Sequence, residues 1–356
     1  MKRFAPVVLT KRTANLDSFP FAPIYAIGNL PLLRKETERA RQKISRSYFA
    51  YHRKILRELR VPLLHSHFGQ QALIDGALAR DLKIRHIATF YGADIWEQST
   101  RAQWRTRFAR LAAEADLFLV EGNAMRNKVL ELGGRAEAVE VLHLGVDLSR
   151  IPFVPRAPDA DGTVRILMAG RAIEKKGHIY GLMAFEKLSR KYPQLRLNMI
   201  VGRSVEHGEW ARAMRDFIAE KNLASRVNWV EFMSYGDYLE RLPDAHIFLQ
   251  PSIHGSDGDA EGGFPVTILE LAASGAPIVA TTHCDIPEAV LDEWSGLLAD
   301  EKDVDGLIER LDFLLQNPQL WPAFGAAGRA HVEKEYNIET QVGHLENHYA
   351  RLLKSS

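Results

Sequence analysis

Two successive α/β halves, each built on its own parallel sheet, are what this 356-residue sequence predicts. Three observations predict it. Short β-branched or apolar runs alternate with helical patterns from Pro6 onward, a stretch carrying three prolines at 147–162 interrupts them, and the same alternation then restarts. Strands separated by helices make right-handed βαβ units, so two Rossmann-like domains should face each other across a cleft.

In the first half, 7–10, 61–68, 84–91, 116–121 and 138–143 read as strands, and 33–59, 70–81, 100–115 and 124–132 as helices. In the second, 164–169, 195–201, 227–232, 247–250, 277–281 and 296–298 read as strands with helices between them. Beyond Asp303 the pattern is helical throughout. Over 339–353 it puts Val342, Leu345, Tyr349 and Leu352 on one face, which must dock somewhere. The domains expected are therefore 1–150, 151–335 and a terminal helix over 336–356.

Composition is that of an ordinary globular protein, and the net charge of +1 gives no reason to expect nucleic acid as a partner. A single cysteine, Cys284, excludes an intramolecular disulfide and fits a reducing compartment. No apolar run approaches the ~18 residues of a membrane span, and the amino-terminal apolar run is too short for a signal peptide, so a cytoplasmic protein is expected. A basic stretch at 34–60 holds ten Lys/Arg against three Glu, interleaved with Ile44, Tyr48, Phe49, Tyr51, Ile55 and Leu56. It reads equally as a solvated helix face or as one meeting anionic lipid and a lipid-linked acceptor. Whether the chain forms a homo-oligomer stays open.

The most informative run is 261–282, whose punctuation predicts a loop, a helix and a strand. Pro265 suits the first helical position and Gly275 the left-handed residue just past the end, giving a helix over about 265–274. The apolar run at 246–250 before it should be a buried strand, and ligands in open α/β sheets bind beyond such carboxyl ends. Glu261 precedes Gly262 and Gly263, whose missing side chains would let a ligand approach the backbone, and the helix start at Phe264, Pro265 and Val266 would offer free N–H groups, from residues other than the proline, and a positive dipole end suited to phosphate. Glu270 falls among Val, Ile, Leu and Ala, where an ionised carboxylate needs a partner such as the vicinal hydroxyls of a ribose. The competing reading puts it on a solvent face.

Gly170 and Arg171 follow the first strand of the second half, and Lys176 opens the next helix five residues later. A forked guanidinium and an ammonium so placed can hold one diphosphate; a solvated loop is the alternative. Asp257 and Asp259 could hold a cation, but Ile268 stands where an EF-hand needs its glutamate, so no catalytic metal is expected and the pair should shape the loop. His65 and His67 would share one strand face, without a third ligand in evidence, which favours a structural role.

These motifs resemble the family-4 retaining glycosyltransferases of GT-B fold, especially those that build exopolysaccharides. Gly170-Arg171, four residues, then Lys176-Gly177 matches that family's diphosphate pair, and Glu261 to Glu270 its two glutamates around a Gly-aromatic-Pro turn, here with the Gly doubled. The resemblance implies that Arg171 and Lys176 hold the diphosphate and, with Glu261 on the transferred sugar, form the catalytic group, while Glu270 takes the ribose. It implies a UDP- or GDP-sugar as co-substrate, no other cofactor, a saccharide or lipid-linked acceptor, and a terminal helix crossing back to the first domain. Phe90 to Asp94 resembles an aromatic-His-Gly-x-Asp turn with Tyr91 in place of His, making Tyr91, Gly92 and Asp94 candidates for the sugar or acceptor side; Glu121 to Arg126 resembles a Ser-Glu-Arg turn with Val120 in place of Ser. That family begins with a strand and a Gly-containing loop, whereas no Gly precedes Gly28. The first domain is accordingly expected to have fewer parallel strands than the second, closed up or completed by another chain. A nucleotide-sugar epimerase, a sugar phosphorylase and a weakly active nucleotide-binding subunit remain alternatives.

Overall fold

The computed structural model describes residues 1–45, 48–202 and 208–354. The first domain runs β1 (Val8–Thr10), β2 (Ile24–Ala26), α1 (Leu32–Ser45), α2 (Ala50–Glu58), β3 (Leu63–His67), α3 (Gly69–Leu82), β4 (Arg85–Thr89), α4 (Trp96–Ser99), α5 (Ala102–Glu114), β5 (Leu117–Val120), α6 (Asn123–Glu131) and β6 (Val139–Val141). The second runs β7 (Val164–Ala169), α7 (His178–Lys191), β8 (Leu195–Ile200), α8 (Glu209–Glu220), β9 (Val227–Val230), α9 (Tyr235–Arg241), β10 (Ile247–Gln250), α10 (Val266–Ser274), β11 (Ile278–Thr281), α11 (Ile286–Ala289) and β12 (Gly296–Ala299). Helices α12 (Val304–Gln316), α13 (Trp321–Glu335) and α14 (Ile338–Lys354) follow.

All registered strand pairs are parallel, and the two sheets differ in kind. The second is six-stranded in the order β12-β11-β10-β7-β8-β9, so the chain reverses direction across the sheet between β7 and β10. That switch point opens a crevice at the carboxyl ends of those two strands. Four strands in the order β3-β4-β5-β6 make the first sheet, without a reversal. Val8–Thr10 lies outside it, paired with the unforeseen strand Ile24–Ala26. Among the described residues the first domain thus has six parallel strands, as many as the second, but divided into a four-stranded sheet and a separate pair, where fewer strands were expected.

Both faces of the second sheet are covered, which is why its strands read as near-continuous apolar runs. Ile166, Met168, Leu197, Met199 and Leu249 pack toward α7 and α12, while Leu167, Phe248, Ile278 and Ala280 pack toward α10 and α13. In the first domain Ala88, Phe90, Phe118 and Val120 meet α3, α5 and α6. The opposite face, with Ile87, Leu117 and Leu119, is covered by Leu345, Tyr349 and Leu352 of α14. Tyr349 Oη sits 2.6 Å from His65 Nδ1, and Glu346 accepts the backbone N–H groups of Lys2 and Arg3. The terminal helix therefore does lie on the first domain.

One expectation over this region is corrected. The stretch 33–59 is two helices, α1 and α2, with Phe49 in extended backbone at the start of the second. Burial of Phe49, Ile55 and Leu56 turns α2 inward, whereas Leu32, Leu33 and Ile44 of α1 are exposed. A helical periodicity unbroken by Gly or Pro does not show such a turn.

Candidate active site

The loops leaving β7 and β10 build the site. After β7, Gly170 is followed by exposed Arg171 and a single 3-10 turn over Glu174–Lys176. Gly177 closes the turn at φ 62°, and a Cβ there would lie 1.7 Å from the Pro251 carbonyl oxygen, so only glycine fits. This close approach brings the two loops together. The Lys176 side chain runs back over Gly170, and its Nζ reaches Glu261 Oε1 at 2.9 Å. Ser252 donates to the same oxygen at 3.0 Å, and Gln250 donates to the Ser252 hydroxyl at 2.9 Å. Burial by itself would raise the Glu261 carboxyl; Lys176 and Lys175 outweigh it and hold the group below the usual range.

Lys175 is the buried lysine of the pair. It donates to Asp259 Oδ1 at 3.0 Å and to the Ala260 carbonyl at 2.7 Å, fixing the loop before Glu261. Asp257 accepts the Asp259 N–H at 2.9 Å. The Asp pair thus shapes the loop, as its sequence predicts.

The Gly262-Gly263 pair has a different cause from the one expected. A Cβ on Gly262 would lie 2.2 Å from Gly92 Cα, and one on Gly263 would lie 2.2 Å from Glu121 Oε2. Gly92, at φ 117°, would in turn strike the Glu261 carbonyl oxygen at 2.3 Å. What approaches this backbone is the first domain. The domains also meet at α6, where Ala124 N donates to Asp285 Oδ1 at 2.5 Å and Asn123 N to Glu288 at 2.9 Å. Carboxylates from the second domain therefore accept the free N–H groups of a first-domain helix.

Helix α10 begins at Val266, with Pro265 as its cap and Gly275 left-handed at φ 97° beyond its end. Phe264 lies outside the helix, buried edge-on against Tyr336. Among the described residues, the buried Thr267 hydroxyl has no hydrogen-bond partner at this helix start. Glu270 is buried rather than on a solvent face, and accepts the Tyr235 hydroxyl at 2.9 Å. Burial pushes its carboxyl up, with the tyrosine bond opposing. Tyr235 was not foreseen, since α9 is distant in sequence.

On the first-domain side, Asp94 is buried and its two oxygens accept the N–H groups of Tyr91 and Gly69, at 3.0 and 2.8 Å. Tyr91 pairs through its hydroxyl with His67, whose ring stacks on His65 at 4.5 Å. Asp94 and Tyr91, expected on the sugar or acceptor side, are here held within the turn by these protein partners. Gly92 does reach the Glu261 loop. Lys175, Ser252 and His283 were not singled out from the sequence as parts of this site, and only the lysine's place beside Lys176 hinted at one of them; Glu121 was read as opening the 121–126 turn. Burial drives the Glu121 carboxyl well up, with Asp94, Asp285 and Glu261 adding to it. Cys284 is no activated nucleophile, since burial pushes its thiol up to about 12.

No helix among the described residues is long and apolar enough to cross a membrane. Residues 7–150 match the model of Glycosyltransferase Family 4, and residues 154–331 that of Glycosyl transferases group 1. The chain is 32% identical over 284 residues to a protein of Escherichia coli K12 named as a colanic acid biosynthesis glycosyltransferase, WcaL; the match takes 78% of this chain and 68% of that one. It is 30% identical to the amylovoran biosynthesis glycosyltransferase AmsK of Erwinia amylovora, over 76% of this chain and 65% of the relative. The chain thus spans about two thirds of the length of these relatives. A protein of Corynebacterium glutamicum named as a GDP-mannose-dependent mannosyltransferase is 27% identical, over 78% of this chain and 72% of its own. All are transferases, which does not favour an epimerase or phosphorylase. Among solved structures, HepE of Anabaena with UDP and glucose superposes with TM-score 0.76 at 14% identity, covering 97% of this chain and 91% of that one. A glycosyltransferase of Rickettsia africae gives 0.77 at 16%, covering 99% and 91%. Family models over both halves, relatives of this identity and the two-domain α/β architecture together establish that the chain belongs to the family-4 glycosyltransferases of GT-B fold.

Proposed function

We propose that the chain moves a hexosyl-type sugar from a nucleoside diphosphate to a saccharide or lipid-linked acceptor, with retention of anomeric configuration and without a metal ion. The observation that carries this reading is the largely shielded Lys176–Glu261 pair at the β7/β10 switch point, with the exposed Arg171 leaving the same strand. Arg171 and Lys176 would hold the diphosphate, and the free N–H groups and Thr267 hydroxyl at the start of α10 would add neutral donors. Glu261 would meet the sugar and Glu270 the ribose.

In a front-face transfer the acceptor oxygen bonds to the anomeric carbon as the bond to the leaving phosphate breaks. The acceptor proton passes to that phosphate. Negative charge grows on the diphosphate as that bond breaks, ahead of the proton, and the two cations Arg171 and Lys176 would stabilise it as a metal would. Asp259 is already engaged by Lys175, which supports a metal-independent site. UDP- and GDP-sugars both remain candidates, since HepE was solved with UDP and the corynebacterial relative is named for GDP-mannose. The basic α1, with Leu32, Leu33 and Ile44 exposed, fits contact with an anionic membrane bearing a lipid-linked acceptor, at its cytoplasmic face.

Titration calorimetry of UDP, GDP and their sugars tests the donor site. One nucleotide series should bind, and Arg171→Ala should weaken it by about 1.5–3 kcal/mol, the range for hydrogen bonds to charged groups. Unchanged affinity in that variant would remove Arg171 from the diphosphate.

A further inference from the structure

Three neighbouring strands of the second sheet end in one cluster. His254 lies in the loop after β10, His283 and Cys284 follow β11, and Glu301 follows β12. Nδ1 of His254 lies 2.8 Å, and Nδ1 of His283 2.7 Å, from the same Glu301 oxygen. His283 Nε2 accepts the Glu261 N–H at 3.1 Å, so its proton is on Nδ1 and is donated to Glu301. Both imidazoles therefore turn Nε2 toward Cys284. Its Sγ is 3.3 Å from His283 Nε2 and 4.0 Å from His254 Nε2, and the three ligand atoms lie within 4.8 Å of one another.

We propose that His254, His283 and Cys284 form a binding site for a soft divalent cation of the zinc class, with Glu301 orienting both imidazoles, and that occupation of this site lowers sugar transfer. Zinc bonds of about 2.0–2.1 Å to nitrogen and about 2.3 Å to sulfur place tetrahedral N and S ligands roughly 3.5 Å apart, a value the two S–N distances bracket. A carboxylate that accepts from the far nitrogen of each ligating histidine is the usual outer support of such ions. His254 is exposed and gives the ion a way in, while the Trp96 ring of the first domain, 5.3 Å from it, forms one wall. As sulfur binds the ion its proton leaves to solvent, since a coordinating thiol is deprotonated outright. The fourth position is left to water.

Inhibition follows from the lone pair the ion would take. His283 Nε2 is the acceptor of the Glu261 N–H, and a cation on that nitrogen displaces this bond. Glu261 would then shift on its loop, away from the place where it meets the sugar in the proposed function. This second half rests on that reading; the first half does not.

The test uses the metal-stripped full chain with zinc by equilibrium dialysis, and with cobalt as a spectroscopic stand-in. Wild type should bind one ion per chain, and its cobalt form should show a thiolate-to-metal charge-transfer band. Cys284→Ser and His254→Ala should each weaken binding at least tenfold, and Glu301→Gln about 10–100-fold. A cobalt spectrum without the thiolate band, or His254→Ala and Cys284→Ser binding zinc as wild type does, would overturn the site. Zinc should also lower wild-type transfer and leave His254→Ala transfer unchanged; zinc that fills the site with transfer intact would overturn the coupling to Glu261. Failure of the glycosyltransferase reading would show separately, as no transfer in zinc-free samples, and the dialysis would still decide the site.

Discussion

Lys176 Nζ lies 2.9 Å from Glu261 Oε1, and the two side chains are only 13% and 7% exposed. They come from loops after different strands, yet Gly177 brings those loops into backbone contact. Each charge is tolerable because of the other. Removing one partner of a buried pair leaves an uncompensated charge, at a cost of about 3–5 kcal/mol. Lys176→Met should therefore destabilise the protein by roughly that amount, and Lys176→Met with Glu261→Gln by clearly less, in denaturant unfolding. Additive losses would show that the pair is not coupled.

The glycines joining the domains make a second prediction. Gly92 and Gly262 have φ of 117° and 86°, and added Cβ atoms would lie 2.3 and 2.2 Å from backbone of the opposite domain. Neither contact can be relieved by a side-chain rotation. Gly262→Ala should lower stability by at least about 1–3 kcal/mol through backbone strain, and should expand the molecule in small-angle scattering as the domains part. An unchanged scattering profile would mean that the close approach does not hold the domains together.

His65 supplies a pH dependence. Burial, with His67 and His86 adding to it, lowers its pKa to about 3, between Tyr349 of the terminal helix and Thr89. The folded value lies below the unfolded one of about 6.5, so the unfolded chain binds the extra proton. Stability from the neutral ring is complete above about pH 6.5 and is lost as pH falls toward about 3. His65→Gln cannot gain that proton. Its thermal stability should fall less steeply than wild type over this window, and equal slopes would contradict the assignment.

How much of this was legible in the sequence depends on the range of the cause. Gly275 and Pro265 bound α10 through local backbone preference, and both were readable. So was the Arg171/Lys176 spacing, because a strand and the turn after it lie within a few residues. Gly262 and Gly263 were visible as unusual, but their occupant is the first domain, which no local pattern reveals. Tyr235 on Glu270 and His283 on the Glu261 N–H are likewise products of the sheet order β11-β10-β7-β8-β9. The strand Ile24–Ala26 was missed because three residues carry too little periodicity. The hold of Asp94 on the Gly69 N–H was not legible, because its motif fixes the turn's backbone and not the direction of its carboxylate.

The central claim is that Glu261 serves transfer while Glu270 serves the nucleotide. Acceptor-dependent release of nucleoside diphosphate, measured across UDP- and GDP-sugars with saccharide and lipid-linked acceptors, tests it most directly when nucleotide affinity is determined on the same variants. The account predicts release by wild type only when an acceptor is present, loss of release with retained nucleotide binding in Glu261→Ala, and weakened nucleotide binding in Glu270→Ala. Release that needs no acceptor, or equal loss of nucleotide affinity in the two variants, would contradict it.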